Sequence, residues 1–349
     1  MTASALTRLL GVERPIVLAP FGGVSSVELT ATVSGLGGLG SYGLYGYAAE
    51  RIERALAELR AATDRPFAVN LWLPTGDEVE PGDVDLGPAS AVVAPFFAEL
   101  GLPVPAPPAA FLPDFAEQAR AVLDARPVAL SLVFGTPPGW LVEAARVAGV
   151  RLLGTATTVE EAIALERAGV DAIVATGAEA GGHRVSFLAP AERSLVGTLA
   201  LVPQVVDAVR LPVIAAGGIA DRRGVAAAFA LGAAGVQVGT AFLRTRQSAA
   251  PESHRAAIAG AGAADTVLTR AMSGRLARGI PNRALGTIED GGAIAPFPAQ
   301  NWFTGQFRAE ASQRDRGELL SLWAGQAAAL ARREDAGEVF AELAAGLPD

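Results

Sequence analysis

Short apolar runs rich in β-branched residues alternate with Ala-rich amphipathic stretches along the first two-thirds of the chain. Apolar runs of this length predict strands, and the stretches between them have the period of amphipathic helices. Strands that are apolar on both faces are typical of a parallel sheet covered by crossover helices. The pattern predicts eight strands, at 15–19, 38–42, 67–72, 128–134, 151–156, 171–177, 212–218 and 235–240.

Each of the first seven predicted strands is followed by a predicted helix. Eight strands within about 240 residues match the size of a (β/α)₈ barrel, whereas a doubly wound open sheet seldom needs so many. We therefore predict an α/β fold, a (β/α)₈ TIM barrel formed by residues 1–250. The predicted helices span 26–35, 48–62, 112–125, 139–148, 158–168, 196–209 and 221–231.

Two stretches interrupt this alternation. Residues 74–110 form a Pro-rich insert between the third strand and its helix, and residues 251–349 read as mostly helical apart from segment 279–305. Loops at this end of a barrel build covers over active sites. We therefore predict that both stretches form a cap that binds substrate over the barrel mouth, with helices packed on the outer wall as the alternative. Segment 279–305 contains the aromatic residues Phe297, Trp302 and Phe303.

Charge and hydropathy narrow the class of partner. The net charge is -8 and the charged residues are scattered, which disfavours a nucleic acid as partner because phosphate backbones need a concentrated cationic face. No apolar stretch is long enough for a membrane span, and the N-terminus lacks the pattern of a signal peptide. We expect a cytoplasmic enzyme that acts on a small-molecule substrate, without a membrane or nucleic acid as partner, and the sequence leaves a homo-oligomer open.

Missing residue types exclude several chemistries. The sequence contains no cysteine, so disulfides, thiolate nucleophiles and Cys-ligated metal clusters are excluded. It also contains no lysine, which removes the amine needed for a Schiff base. Histidine occurs only as His183 and His254, too few for a three-histidine metal site. No metal site is predicted, although carboxylates alone could still hold Mg²⁺.

Glycines follow two neighbouring strands of the predicted barrel. Gly217 and Gly218 end the seventh strand, and Gly239 and Thr240 end the eighth. The loops after these two strands form the usual phosphate site of a TIM barrel, and the helix that begins near Asp221 adds its positive end. Tight turns also use glycine for conformational reasons alone. Because both pairs lie at adjacent strand ends, we favour a phosphate site.

His183 follows the sixth strand in the Gly-rich run ATGAEAGGHR, which includes Gly181 and Gly182. Histidine titrates near neutral pH and can accept or donate a proton, although a lone histidine is often structural. Its position beside the predicted phosphate site makes His183 the main catalytic candidate. His254 lies in the helical stretch PESHRAAIAG, where we predict a surface or packing role.

Polar residues inside apolar strands are the remaining candidates. Asn70 in the third strand and Gln237 in the eighth need hydrogen-bond partners if they are buried. Either side chain would fit the edge of a flat heterocycle such as flavin, or would tie neighbouring loops together. The segment APFGGVSS closes the first strand, so that the backbone at Phe21 would line a ring system while Ser25 or Ser26 caps the next helix.

Several of these runs together resemble one enzyme family. The segments APFGGVSSVELTATVSGLGGLGSYG, PFAVNLWLP, GAEAGGHR, VIAAGGIADRRGVAAAFALGAAGVQVGTAFL and LWAGQAAALA are similar to the nitronate monooxygenases, formerly called 2-nitropropane dioxygenases. The likeness extends over nearly the whole chain and includes the insert APFFAELGLPVPAPP. The phosphate loops alone are less specific, because other FMN and nucleotide barrels share them.

The resemblance implies non-covalent FMN at the barrel mouth and oxidation of alkyl nitronates, in some members also nitroalkanes, by O₂ to a carbonyl compound and nitrite. It implies that this small-molecule substrate and O₂ are the partners of the enzyme, and that His183 is the catalytic residue beside the flavin. The chain departs from the family at Phe21, commonly methionine, and at Val185, often glycine. The implied cofactor contacts are Ala19, Pro20, Phe21, Asn70, Gly181, Gly182, Gly217, Gly218, Gln237, Gly239 and Thr240.

Two other activities remain open for such a chain. An FMN-dependent enoyl-thioester reductase would share the Gly-Gly-His loop and the phosphate loops, and would reduce a double bond with NAD(P)H. A flavin-binding accessory protein of a biosynthetic pathway would retain the cofactor without catalysis, and the departures at Phe21 and Val185 motivate that alternative.

Overall fold

A computed structural model describes residues 4–348 of the chain. The strands are β1 Ile16–Leu18, β2 Gly40–Gly43, β3 Phe67–Trp72, β4 Ala129–Val133, β5 Arg151–Ala156, β6 Ala172–Thr176, β7 Gly182–His183, β8 Val213–Ala216, β9 Gly235–Val238, β10 Val267–Thr269 and β11 Ala277–Gly279. Eight parallel strands form one sheet in the order β1-β9-β8-β6-β5-β4-β3-β2, which confirms the predicted (β/α)₈ barrel. Val17 and Leu39 form a parallel bridge that joins the first strand to the start of the second.

The seven predicted crossover helices are present, each with ends within about three residues of the prediction. Ser26, Asp114, Thr158 and Asp221 precede four of them, and each side chain accepts a hydrogen bond from a first-turn amide. The α-helices are α1 Ala5–Leu10, α2 Val27–Gly35, α3 Ala49–Ala62, α4 Gly87–Glu99, α5 Phe115–Ala125, α6 Gly139–Ala148, α7 Val159–Ala168, α8 Thr198–Ala208, α9 Arg222–Ala230, α10 Thr240–Leu243, α11 Glu252–Gly260, α12 Arg283–Gly291, α13 Ala299–Gln313 and α14 Ala336–Ala344.

The barrel interior is apolar at the N-terminal ends of its strands and polar at the C-terminal ends. Leu6 and Leu10 of α1 pack against the inward side chains Val17, Leu39 and Leu153, and so close the lower end. Side chains of alternate strand positions point to opposite faces, and the outward set packs under the helices. The lower end is therefore a packed core, which leaves the upper end for a site.

The insert and part of the C-terminal segment share a second hydrophobic core. Helix α4 of the insert packs on α12 and α13, with Phe97 5.5 Å from Phe303 and Phe96 5.4 Å from Phe307 between ring centroids. The Pro-rich composition gave no sign of α4, because Pro95 lies inside this helix. The boundary between barrel and cap at residue 250 stays a prediction.

Residues 251–348 contain strands as well as helices, unlike the mostly helical cap predicted for residues 251–349. The strands β10 and β11 pair antiparallel with each other, and β11 also pairs antiparallel with β7, which carries His183. Strands of two or three residues are too short to show a hydrophobic period. Helix α14 contacts α2, α9 and β1 on the outer wall, where it occupies the position of the eighth barrel helix. No helix within residues 4–348 is long and apolar enough to cross a membrane.

Candidate active site

A cavity of about 540 Å³ opens at the C-terminal ends of the barrel strands. Its volume lies within the range of roughly 300–1,000 Å³ that is usual for small-molecule and cofactor sites. The structure brings every predicted site residue to its wall, although their roles stay predictions. The predicted residues that line it are Ala19, Pro20, Phe21, Asn70, Gly181, Gly182, His183, Gly217, Gly218, Gln237, Gly239 and Thr240.

Three polar residues that the sequence analysis did not single out line the same cavity. Ser131, Thr155 and Thr176 lie near the C-terminal ends of β4, β5 and β6. Asn70 is paired in register with Ser131, and its Nδ2 donates a hydrogen bond to the Ser131 carbonyl at 3.1 Å. Asn70 therefore ties two strands together while it lines the cavity. An inward polar residue near the C-terminal end of each of these strands was the available signal.

The loop after β1 is fixed by Ser25. The Ser25 hydroxyl donates to the carbonyl of Phe21 at 2.9 Å and accepts from the amide of Gly43 at 3.0 Å. A Cβ on Gly43 would lie 2.5 Å from the Phe21 carbonyl oxygen, so glycine is required for this close approach. Ser26, the other predicted candidate, is the N-cap of α2. Ser25 thus holds the loop, and Ser26 caps the helix.

Gly217 and Gly218 have φ values of 97° and 72°, a left-handed turn that L-residues with side chains rarely adopt. This turn lies beside Gly239 and Thr240 on the cavity wall. The Asp221 carboxylate accepts from the amides of Arg223 and Gly224, and the contribution of this helix end to a phosphate site stays a prediction. The loop amides are donors that suit a phosphate group.

The loop that carries His183 is held by contacts on both sides. A Cβ on Gly181 would lie 2.6 Å from the backbone of Ala324, so this glycine permits close packing. Gly182 has a φ of 77° and turns the chain into β7. The buried Arg184 guanidinium donates to the carbonyl oxygens of Gly177 at 2.7 Å and Thr176 at 3.1 Å. Arg184, which the sequence analysis passed over, therefore anchors the loop to the end of β6.

The ring of His183 is fixed by a serine from the segment between β10 and β11. His183 Nε2 lies 2.8 Å from the hydroxyl of Ser273, which is fully buried. That hydroxyl donates to the carbonyl oxygen of Arg275 at 3.0 Å. Because the Ser273 proton is used there, the imidazole carries its hydrogen on Nε2 and leaves Nδ1 as an acceptor. The ring centroids of Trp72 and Trp323 lie 4.9 and 5.5 Å from that of His183.

Burial, and then the positive charges of Arg275 and Arg308, lower the pKa of His183 to about 3. The imidazole is therefore neutral at ordinary pH and can accept a proton. The positive charge of Arg308, which lines the cavity, makes the surroundings favourable for an anion, since an added negative charge would offset it. The arrangement suits proton abstraction from a neutral molecule or binding of its anion.

His254 has a packing role, and the surface alternative is wrong. Its side chain is buried, and Nε2 lies 3.1 Å from the carbonyl oxygen of Trp323. Burial lowers the pKa of His254 to about 4. Because Trp323 lines the cavity, His254 supports one wall of the site from behind.

Comparisons with known proteins agree on one family. The family model for nitronate monooxygenase matches residues 3–346. A probable nitronate monooxygenase of Staphylococcus aureus (strain Newman) is 39% identical over 340 residues, which cover 97% of this chain and 95% of the relative.

Two solved structures extend the comparison. The nitroalkane oxidase of Streptomyces ansochromogenes has a TM-score of 0.85 at 36% identity, covering 98% of this chain and 97% of that one. FabK from Thermotoga maritima has a TM-score of 0.76 at 27% identity, covering 98% of this chain and 95% of that one. The chain therefore belongs to the nitronate monooxygenase family and is a flavin-dependent oxidoreductase.

Proposed function

We propose that this enzyme binds FMN non-covalently and oxidises alkyl nitronates, and nitroalkanes after proton removal, with O₂ to a carbonyl compound and nitrite. The single observation that carries the proposal is the position of His183, whose ring lines the cavity that also contains the paired glycine loops and is held there by the contact of Nε2 with Ser273. A nitroalkane has an acidic carbon next to its nitro group, and a neutral imidazole is the kind of base that can take this proton.

The residues at the barrel mouth fit the parts of FMN. The amides of the Gly217–Gly218 turn, with Gly239 and Thr240, would hold the phosphate. The hydroxyl oxygen of Thr240 accepts from the amide of Gly325 at 2.9 Å, so its own hydrogen remains to be donated. Ala19 to Phe21, Asn70 and Gln237 would contact the ring. When bound, FMN supplies the electron transfer between substrate and O₂.

The protein itself binds and orients the substrate and moves one proton. For a nitroalkane, Nδ1 of His183 accepts the proton of the carbon next to the nitro group, while Ser273 keeps the ring oriented through Nε2. The resulting imidazolium and the nitronate have opposite charges, which offsets the effect of Arg275 and Arg308 on the ring. A substrate supplied as the nitronate needs only binding and orientation.

The likeness to FabK supports a second candidate, an FMN-dependent enoyl-thioester reductase that uses NAD(P)H. The lack of lysine removes one common cation for a phosphorylated acyl carrier. Anaerobic mixing with NADH separates the two candidates. The nitronate enzyme should keep its flavin colour with NADH, whereas rapid bleaching would favour the reductase.

The proposal is tested with purified protein and its His183→Asn variant. FMN should be released on denaturation, and the variant should retain FMN while nitroalkane turnover falls sharply, by about 100-fold or more. Asparagine keeps a polar amide of similar reach but cannot act as a base. Near-normal turnover by a flavin-loaded variant would overturn the role of His183, and a colourless protein that FMN cannot reconstitute would overturn the cofactor.

A further inference from the structure

Arg308 of α13 is a cation on the cavity wall without an acidic partner. Within residues 4–348 no carboxylate lies within ion-pair distance of Arg308, whereas Arg275 is paired with Asp77 at 2.6 Å and Glu78 at 3.0 Å. Among the described residues, the Arg308 guanidinium donates to neutral acceptors, which are the Ser321 hydroxyl at 2.8 Å, Asn301 Oδ1 at 2.9 Å and the Asn301 carbonyl oxygen at 3.1 Å. Its charge is therefore not neutralised by the protein.

The contact with Arg308 fixes the orientation of Asn301. A guanidinium can only donate, so the Asn301 amide must present its oxygen to Arg308 and its nitrogen to the other side. On that side, Asn301 Nδ2 lies 2.9 Å from the hydroxyl of Tyr45 and donates to it. The Tyr45 oxygen therefore accepts this bond, and the phenolic hydrogen of Tyr45 is left to be donated elsewhere.

Tyr45 lies close to the proposed base. Its ring centroid is 4.2 Å from that of Trp72, and the Trp72 centroid is 4.9 Å from that of His183. Tyr45, Arg308 and His183 all line the cavity. Burial raises the pKa of Tyr45 to about 12, so the phenol keeps its hydrogen at ordinary pH. Burial also lowers the pKa of Arg308 to about 10, which still leaves the guanidinium charged.

We propose that Arg308 and Tyr45, oriented by Asn301 between them, form an anion subsite that holds the oxygens of a substrate nitro or nitronate group beside His183. The inference rests on the proposed function, because it assigns an orientation to the substrate of that reaction. With the nitro oxygens on Arg308 and Tyr45, the neighbouring carbon faces His183. The charge that develops on these oxygens during proton removal is then stabilised by donors already in place.

Nitrite is a suitable probe, because it has two oxygens on nitrogen and no carbon to react. Its dissociation constant is measured by calorimetry on the FMN-loaded protein, and FMN affinity is measured separately. Arg308→Gln should weaken nitrite binding by at least about 10-fold, and Tyr45→Phe by about 5-fold. The exposed Arg51, which lines the same cavity, provides the matched control for loss of one positive charge. Arg51→Gln should bind nitrite within about twofold of the parent.

Asn301→Asp is the sharper variant, since the aspartate and asparagine side chains have almost the same volume. An aspartate would pair with Arg308 and accept the hydrogen of Tyr45, so that both donors are withdrawn from the cavity. Nitrite binding should then fall at least as far as in Arg308→Gln, with the FMN content unchanged.

The outcomes separate the subsite from the reaction. Nitrite binding that depends on Arg308 and Asn301 supports the subsite even if no nitronate is oxidised. Unchanged nitrite binding in the Arg308→Gln and Asn301→Asp variants overturns the subsite even if nitronates are oxidised. Loss of FMN affinity with unchanged nitrite binding in the reconstituted variants also overturns it, because these residues would then serve the cofactor.

Discussion

The imidazole of His183 and the hydroxyl of Ser273 lie 2.8 Å apart, although 90 residues separate them in the chain. Ser273 comes from the segment between β10 and β11, and β11 also pairs with the strand that carries His183. A small antiparallel sheet outside the barrel therefore fixes the ring of the proposed base. The contact between Ser273 and His183 therefore links the C-terminal segment to the proposed catalytic residue at the barrel mouth.

Replacing Ser273 with alanine should reduce proton removal more than it reduces binding. The variant frees His183 Nε2 and allows the ring to rotate and change tautomer, so kcat for a nitroalkane should fall by about 10-fold. The same substrate supplied as its nitronate should lose less than about threefold, because no proton is removed. Steady-state oxygen uptake with the two forms measures the difference.

Ser34→Ala provides a control for the loss of a buried hydroxyl. Ser34 is buried and donates to the carbonyl oxygen of Pro66 at 2.8 Å, away from the cavity. This variant should keep the parent ratio of nitroalkane to nitronate turnover. An equal loss for both substrates in Ser273→Ala would contradict a role through His183.

The low pKa of His183 predicts the pH dependence of nitroalkane oxidation. An ordinary histidine has a pKa of 6.5, whereas burial and two guanidinium groups lower that of His183 to about 3. The basic form is then already dominant at mildly acid pH, so kcat/KM should stay flat from about pH 8 down to about pH 5. A decrease centred near the ordinary value, and absent in His183→Asn, would contradict the assignment.

Arg275 connects the insert to the segment that holds Ser273. Its buried guanidinium pairs with Asp77 and Glu78 and lies 3.9 Å from the ring centroid of Phe297. Arg275→Met leaves Glu78 without its buried partner, and the free energy of unfolding should fall by on the order of 3 kcal/mol. Urea denaturation measures this change, and limited proteolysis within residues 74–86 should become faster.

The exposed pair of Arg270 and Glu192, at 2.6 Å, is the matched control. Arg270→Met should cost less than about 1 kcal/mol, because solvent screens a surface ion pair. Equal losses for the two variants would refute the connecting role of Arg275.

His254 should make the protein less stable as the pH falls. Its pKa is 6.5 when exposed and about 4 when folded, so the unfolded chain binds the extra proton first. The stabilisation is complete above the unfolded pKa and is lost as the pH decreases from there towards the folded pKa. His254→Gln should remove a slope of up to about 1.4 kcal/mol per pH unit. Urea denaturation at several pH values measures the slope, and an unchanged slope in the variant would contradict it.

The barrel and the wall of the site were predictable because they depend on local patterns. Strands such as 67–72 and 151–156 are mostly apolar on both faces, and glycine pairs such as Gly217 and Gly218 mark strand ends. Parallel strands bring their C-terminal ends to one edge, so residues distant in sequence meet there. The predicted position of His183 followed from the same rule.

The partners of these residues were not predictable, because they come from segments without a regular period. Ser273 lies in a turn between two three-residue strands, and Tyr45 lies in a short loop after β2. Arg308 has no carboxylate partner among residues 4–348, but a sequence does not reveal which arginines are paired. Only tertiary contacts of the β10–β11 segment, the loop after β2 and helix α13 bring Ser273, Tyr45 and Arg308 to the cavity that contains His183.

Oxygen uptake and nitrite formation by the FMN-loaded wild-type protein, measured together with one alkyl nitronate, test the central claim most directly. Oxygen consumption should depend on the nitronate, with nitrite released in step with the carbonyl product. Absence of both from a protein with full FMN content, across a panel of nitronates and nitroalkanes, would contradict it.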